Sequence, residues 1–147
     1  MRALRKFLCL PRADRRLLVG AALLLGLIGA ALRLVSFKKL LHLSEAFCRR
    51  SSQGQNLPPP SSECIIWAIT AANRRMPFGR SCLTQALATK ILLTYWGHPA
   101  RMRIGVSKGE HGRLEAHAWV ESRGVVVMGA QASSRFVPLP SMDRGNI

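Results

Sequence analysis

The hydrophobic period of the chain changes once, at Gly97-His98-Pro99, and this change limits the fold more than any other feature. Before it, apolar residues recur at helical spacing; after it, they alternate with polar residues as in half-buried strands. Helices first and an antiparallel meander second predict an α+β fold. The helical segments start near residues 15, 36, 62 and 81, and the strands are ARMRIGVS (100–107), AHAWVE (116–121) and VVVM (125–128).

Small polar residues mark where the helices should begin. Asp14 is predicted to cap the first helix and Ser62 to cap the helix ECIIWAITAANRRM, which Pro77 stops. Ser81 is predicted to cap the helix that starts CLTQALATKILL. Gly97 and Pro99 then give that helix an ordinary ending.

The 147 residues have the size of one domain, which leaves little room for a second. The Pro- and Ser-rich run at 51–61 has turn and polyproline character and no hydrophobic period. It is therefore interpreted as a linker between an N-terminal basic and apolar helical region, residues 1–50, and a core at 62–147.

The formal net charge of +15 is typical of a chain that meets nucleic acid, an anionic membrane or an acidic polypeptide. Nine of these net charges fall in residues 1–50, and the rest are scattered with few aromatic residues between them. A nucleic-acid stacking surface needs interleaved aromatics, so no nucleic-acid partner is expected.

The uncharged apolar run from Leu17 to Leu32 has three interpretations. At about 16 residues it is shorter than the ~20 that usually span a bilayer. A buried or interfacial helix is favoured, a tilted membrane anchor comes second, and a cleaved signal third. A peripheral membrane contact through residues 15–35 is compatible with the first interpretation.

The cysteines, Cys9, Cys48, Cys64 and Cys82, form no CxxC pair. Their spacing therefore indicates neither a zinc site nor a disulfide framework, and we expect no metal, no cofactor and a cytoplasmic setting.

Cys82 stands at the first position of its predicted helix. Unpaired backbone N–H groups and the positive end of the helix dipole favour the thiolate there. The same N–H groups could stabilise the oxyanion formed when sulfur attacks a carbonyl. A cysteine in a helix is more often a packing residue, so this position alone leaves catalysis the less favoured interpretation.

His117 is the histidine that falls inside a predicted strand, where it shares a face with Trp119 and Glu121. If the Cys82 helix packs on that face, sulfur and imidazole could meet as the Cys–His unit of nucleophilic catalysis. A structural role for His117 stays open.

The stretch from Arg74 to Gly129 resembles the leader peptidases of lasso-peptide biosynthesis, in their split form, within the transglutaminase-like superfamily. The resemblance covers roughly residues 62–139. Its motifs are Pro77-Phe78, Ser81-Cys82-Leu83, the Ala-Leu-Ala that follows, Gly97 and Pro99, His117-Ala118-Trp119-Val120-Glu121, and Phe136-Val137-Pro138-Leu139.

The resemblance implies a papain-like or transglutaminase-like core in which Cys82 is the nucleophile and His117 the general base and acid. Members remove the leader of a ribosomally made precursor peptide so that an ATP-dependent lasso cyclase can act on the freed amine. This chain has no room for the winged-helix leader-binding domain of fused members, so the resemblance implies a separate recognition protein.

The sequence departs from the fold's usual pattern at the group that orients the histidine, because the strand after His117 carries no Asp or Asn. Gln131, Glu121 or a backbone carbonyl could serve, in that order of preference. Trp119 could line the substrate groove, and Arg101 and Arg103 could either be solvated or grip an acidic leader.

Two other functions stay open from the sequence. The missing orienting residue favours a scaffold or docking subunit that has lost the chemistry, and the Leu17–Leu32 run favours a basic helical membrane protein.

Overall fold

A computed structural model describes residues 11–51, 58–76, 81–130 and 134–140 of the chain. Helices come first and an antiparallel sheet follows, which confirms the predicted α+β fold. The helices are α1 (Arg12–Leu34), α2 (Phe37–Ser51), α3 (Ser62–Asn73) and α4 (Cys82–Tyr95). The strands are β1 (Arg101–Lys108), β2 (Leu114–Ser122), β3 (Val125–Met128) and β4 (Val137–Pro138).

One of the three predicted capping residues is confirmed, and two are corrected. Ser81 caps α4, since its Oγ accepts a hydrogen bond of 3.0 Å from the N–H of Thr84. Ser61, rather than Ser62, caps α3. The first helix begins at Arg12 after Pro11 with no side-chain cap, so Asp14 lies inside the first turn and the prediction that it caps was wrong.

The sheet has the strand order β3-β2-β1-β4, with antiparallel pairing throughout. Gly105 of β1 lies opposite His117 of β2, and Met102 lies opposite Val120. Because side chains alternate along a strand, this register puts His117 and Met102 on opposite faces of the sheet.

The hydrophobic core lies between the helices and the Met102 face of the sheet. Its largest fully buried side chains are Leu25, Ile65, Ile69, Leu87, Leu93 and Val120. Helix α1 contributes Leu25, so residues before the Pro- and Ser-rich run share one core with residues after it. An ion pair of 3.4 Å between Glu45 and Lys90 also joins α2 to α4.

Helix α1 is long and apolar enough to cross a membrane by length and composition. Its 23 residues would extend about 35 Å, against about 30 Å for the hydrocarbon core of a bilayer. In the fold its inner face is buried, with Ala21 and Leu25 fully covered. Its outer face, which includes Leu23 and Leu27, is exposed.

Candidate active site

Cys82 is the first residue of α4 and is half-buried. The N–H of Thr84 donates a hydrogen bond to the Ser81 hydroxyl, and the N–H of Gln85 donates one to the Ser81 carbonyl. The N–H groups of Cys82 and Leu83 have no partner within the helix. The first turn carries no acidic side chain. The thiol therefore lies beside N–H donors that the helix itself leaves unpaired, at the positive end of the helix, as the sequence predicted.

His117 lies on β2 among aromatic neighbours. Its ring stacks on Trp119 with a centroid distance of 6.3 Å and lies 5.3 Å from the ring of Phe136. Nε2 is 3.0 Å from the carbonyl oxygen of Gly129. The imidazole is thus held on two sides by rings and at one nitrogen by the backbone.

This contact assigns the tautomer of the neutral ring. A carbonyl oxygen can only accept a hydrogen bond, so Nε2 of His117 must carry the proton. The lone pair then resides on Nδ1, which has no hydrogen-bond partner among the residues that the structure describes. Nδ1 is the ring atom available as a base.

Gly129 can hold His117 only because it has no side chain. Its φ is +82°, a backbone conformation that other residues rarely adopt. An added Cβ would lie 3.0 Å from the carbonyl oxygen of Ala118, 3.0 Å from Cβ of Trp119 and 3.2 Å from Nε2 of His117. The glycine thus permits both the turn after β3 and the close approach to the imidazole.

Glu121 holds Trp119 rather than His117. Its carboxylate accepts a hydrogen bond of 3.1 Å from Nε1 of Trp119 and one of 3.4 Å from Nε of Arg103. Trp119 is 4% exposed and its ring covers Gly105, where an added Cβ would lie 2.9 Å from it. Glu121 therefore fixes the ring on which His117 stacks.

The remaining predicted site residues are Arg101, Arg103, Trp119 and Gln131. Arg101 is exposed on β1 and Arg103 is paired with Glu121. Trp119 is buried, which leaves little of its ring for lining a substrate groove. Gln131 lies outside the described residues.

The sequence correctly places His117, Trp119 and Glu121 together on one face of β2. Helix α4, however, packs against the other face, which carries Ala118 and Val120. Among the described residues no hydrogen bond joins Cys82 to His117. Their pairing as nucleophile and base stays a prediction.

The sequence assigned no site role to three residues that surround His117, namely Gly105, Gly129 and Phe136, although Phe136 belongs to a motif of the resemblance. A backbone carbonyl is one of the orienting groups that the sequence leaves open, but residue type does not identify Gly129 as its source. A glycine immediately after the third predicted strand, at a point where the chain must turn, is the signal that could have indicated it.

The described residues contain no cluster of three or more His, Cys, Asp or Glu side chains that could hold a metal ion. The chemistry that these residues themselves offer is that of a thiol at a helix N-terminus and an imidazole with a fixed tautomer.

Together these features define an α+β protein that presents a cysteine from a helix start and a histidine from an antiparallel sheet. The chain belongs to the transglutaminase-like superfamily, whose family model matches residues 24–141. The superfamily includes cysteine peptidases and transglutaminases. Neither a search of curated proteins nor a search of solved structures finds a significant match.

Proposed function

We propose that this chain is a cysteine peptidase that removes the leader from a ribosomally made lasso precursor peptide. The observation that carries the proposal is the His117 Nε2–Gly129 contact, which leaves Nδ1 unprotonated in a member of a superfamily that contains cysteine peptidases. Cys82 supplies the nucleophile, and the resemblance of residues 74–129 to the leader peptidases supplies the substrate class.

The reaction is acyl transfer in two halves. Nδ1 of His117 takes the thiol proton of Cys82, and the sulfur attacks the carbonyl carbon of the last leader residue. The tetrahedral oxyanion lies against the N–H groups at the start of α4. The C–N bond breaks as the imidazolium gives its proton to the departing core amine, and the leader remains on sulfur as a thioester.

Hydrolysis then restores the enzyme. Nδ1 takes a proton from water, whose oxygen attacks the thioester carbonyl. The C–S bond breaks, the sulfur regains the proton, and the leader leaves as a carboxylic acid. Both halves require Sγ of Cys82 and Nδ1 of His117 to meet in the substrate complex, and catalytic hydrogen bonds often tighten only there.

A separate leader-binding protein of winged-helix type presents the precursor, and an ATP-dependent cyclase consumes the freed core. The resemblance of residues 74–129 to the split-form leader peptidases is what implies this partner. Arg101, exposed on β1, is a candidate contact for acidic leader residues, whereas Arg103 is already paired.

A second candidate is a docking subunit of the same maturation complex without peptidase activity. The packing of α4 on the face of β2 opposite His117 favours it, since no Cys–His hydrogen bond is formed among the described residues.

The test is mass spectrometry of the precursor peptide incubated with the full chain and the leader-binding protein. We compare wild type with Cys82→Ala and His117→Ala, and use Cys64→Ala as the control because Cys64 is an exposed free thiol in the first turn of α3. One defined cut that both site variants lower by at least about 10²-fold, and that the control retains, supports the peptidase. No cut by any form, with binding of the partner retained, supports the docking subunit.

A further inference from the structure

Helix α1 carries a second apolar face that the fold leaves uncovered. Its inner face, Leu18, Ala21, Leu25 and Ile28, is buried in the core. On the outer side Val19, Leu23, Leu27 and Leu34 are 46%, 70%, 69% and 86% exposed. We call these four residues the outer stripe.

The outer stripe is continuous along the helix. Val19, Leu23 and Leu27 repeat at intervals of four residues, so their side chains lie above one another on one side. Leu34, fifteen residues after Val19, falls within the same sector at 100° per residue. Several large, adjacent and exposed apolar side chains on one surface mark an interaction site rather than ordinary surface variation.

Basic residues stand at both ends of the outer stripe. Arg12 and Arg16 are exposed in the first turns of α1, and Arg33 is exposed in its last turn. Lys38 and Lys39, also exposed, follow at the start of α2. The one acidic residue of α1, Asp14, is half-buried. In the sequence, Arg2, Arg5 and Lys6 add positive charge ahead of the helix.

We propose that the outer stripe seats this protein on an anionic lipid surface. Leucine side chains enter the boundary between headgroups and acyl chains, while the arginine and lysine groups at both ends reach the lipid phosphates. A protein partner would need an apolar groove with negative charge at each end to match this helix. An anionic bilayer has an apolar interior and negatively charged headgroups at every point of its surface.

The helix lies on the membrane and does not cross it. Spanning would surround α1 with lipid on every side, but Ala21 and Leu25 are fully buried against the rest of the core. Withdrawing α1 would uncover the apolar residues of α3 and α4 that it packs on. Peripheral binding through the outer stripe leaves this core intact. The inference does not depend on the chemistry of Cys82.

The experiment is co-sedimentation of the full chain with vesicles of phosphatidylcholine alone and of phosphatidylcholine mixed with phosphatidylglycerol. Wild type should sediment with the mixed vesicles, sediment much less with neutral ones, and be released by high salt. Leu23→Gln/Leu27→Gln should lose binding to both. Leu114→Gln/Val125→Gln, which changes two exposed apolar residues of the sheet, should bind as wild type does.

A second pair of variants tests the charges. Arg12→Gln/Arg16→Gln should lower binding to the anionic vesicles, whereas Arg113→Gln/Arg123→Gln, with the same change in net charge at exposed sites beside the sheet, should lower it less. Circular dichroism of each variant checks that the helices are retained. A loss of binding can then be attributed to the altered surface rather than to unfolding.

Four results would overturn the proposal. One is a wild-type chain that does not sediment with anionic vesicles, and another is undiminished binding by Leu23→Gln/Leu27→Gln. The third is membrane association that survives an alkaline carbonate wash, which would show a spanning helix. Self-association abolished by the same double variant, without vesicle binding, would assign the outer stripe to a second copy of the chain.

Discussion

Nε2 of His117 donates a hydrogen bond to the carbonyl oxygen of Gly129 across 3.0 Å, and the glycine reaches this position with a φ of +82°. In cysteine and serine hydrolases the histidine is held by a carboxylate or an amide. A backbone carbonyl can fix the same tautomer but carries no full charge, so it stabilises the imidazolium less. A slower enzyme, or one that gains activity in a complex, is the expected consequence.

Replacing Gly129 by alanine should disturb the imidazole as well as the backbone. Gly124 has nearly the same φ, +81°, but an added Cβ there meets nothing within 4 Å, so Gly124→Ala is the matched control. Gly124→Ala should lose about 1–2 kcal/mol of stability through backbone strain, and Gly129→Ala should lose more because its Cβ also crowds its neighbours. Only Gly129→Ala should also lower precursor cleavage, by about 10²-fold, because His117 is displaced. Equal cleavage by the two variants would argue against an orienting role for Gly129.

Substitutions at Glu121 test whether this residue acts by holding Trp119 in place or by orienting His117 directly. Glu121→Gln keeps an acceptor for Nε1 of Trp119 and should cleave nearly as wild type does. Glu121→Ala leaves that buried N–H unpaired, which costs about 1–3 kcal/mol of stability, and should lower cleavage several-fold as the ring shifts. Tryptophan fluorescence should change for the alanine variant alone. If Gln impairs cleavage as much as Ala does, the negative charge of Glu121 acts on His117 itself.

Two leucines of α1 test whether the N-terminal helix shares the core. Leu25→Ala should lower the free energy of unfolding by about 2–5 kcal/mol, because the residue is fully buried among α1, α3 and α4. Leu23→Ala, on the same helix but 70% exposed, should change it by less than about 0.5 kcal/mol in the absence of lipid. Urea unfolding measures both. An unchanged transition for Leu25→Ala would mean that α1 contributes little to the folded core.

Thiol reactivity tests the environment of Cys82. Cys64 is exposed and Cys82 is half-buried, so access alone predicts that iodoacetamide modifies Cys64 faster. The first turn of α4 contains no acidic residue, whereas Glu63 precedes Cys64 in the first turn of α3, so the positive end of the helix dipole acts on Cys82 without an opposing carboxylate. Peptide mapping at neutral pH should show faster alkylation of Cys82, with the difference lost in urea. Preferential alkylation of Cys64 would indicate a packing role for Cys82.

Local patterns were sufficient to predict much of the fold. Alternation placed β1, β2 and β3, and it put His117, Trp119 and Glu121 on one face. Ser81 is a local cap, so its neighbours in sequence determine its role. These features depend on residues within a few positions of one another, which is the range over which periodicity is informative.

Features set by distant contacts were not predictable from the sequence. Both faces of β2 carry apolar side chains, so nothing local indicates that α4 covers Ala118 and Val120 rather than Trp119. The prolines before α3 are typical of a linker, yet α1 packs in the same core as the residues that follow them. The partner of His117 is the backbone carbonyl oxygen of Gly129. Because every residue has such an oxygen, residue type alone could not identify it.

The most direct test of the site is the tautomer of His117 in the intact chain, measured by ¹⁵N NMR of the imidazole nitrogens at mildly alkaline pH. His117→Asn assigns the resonances by their loss. We expect a proton on Nε2 and none on Nδ1, and we expect Gly129→Ala to shift the ring toward a mixture of tautomers. A neutral ring protonated at Nδ1 in wild type would contradict it, because the nitrogen proposed to take the proton of Cys82 would then already carry one.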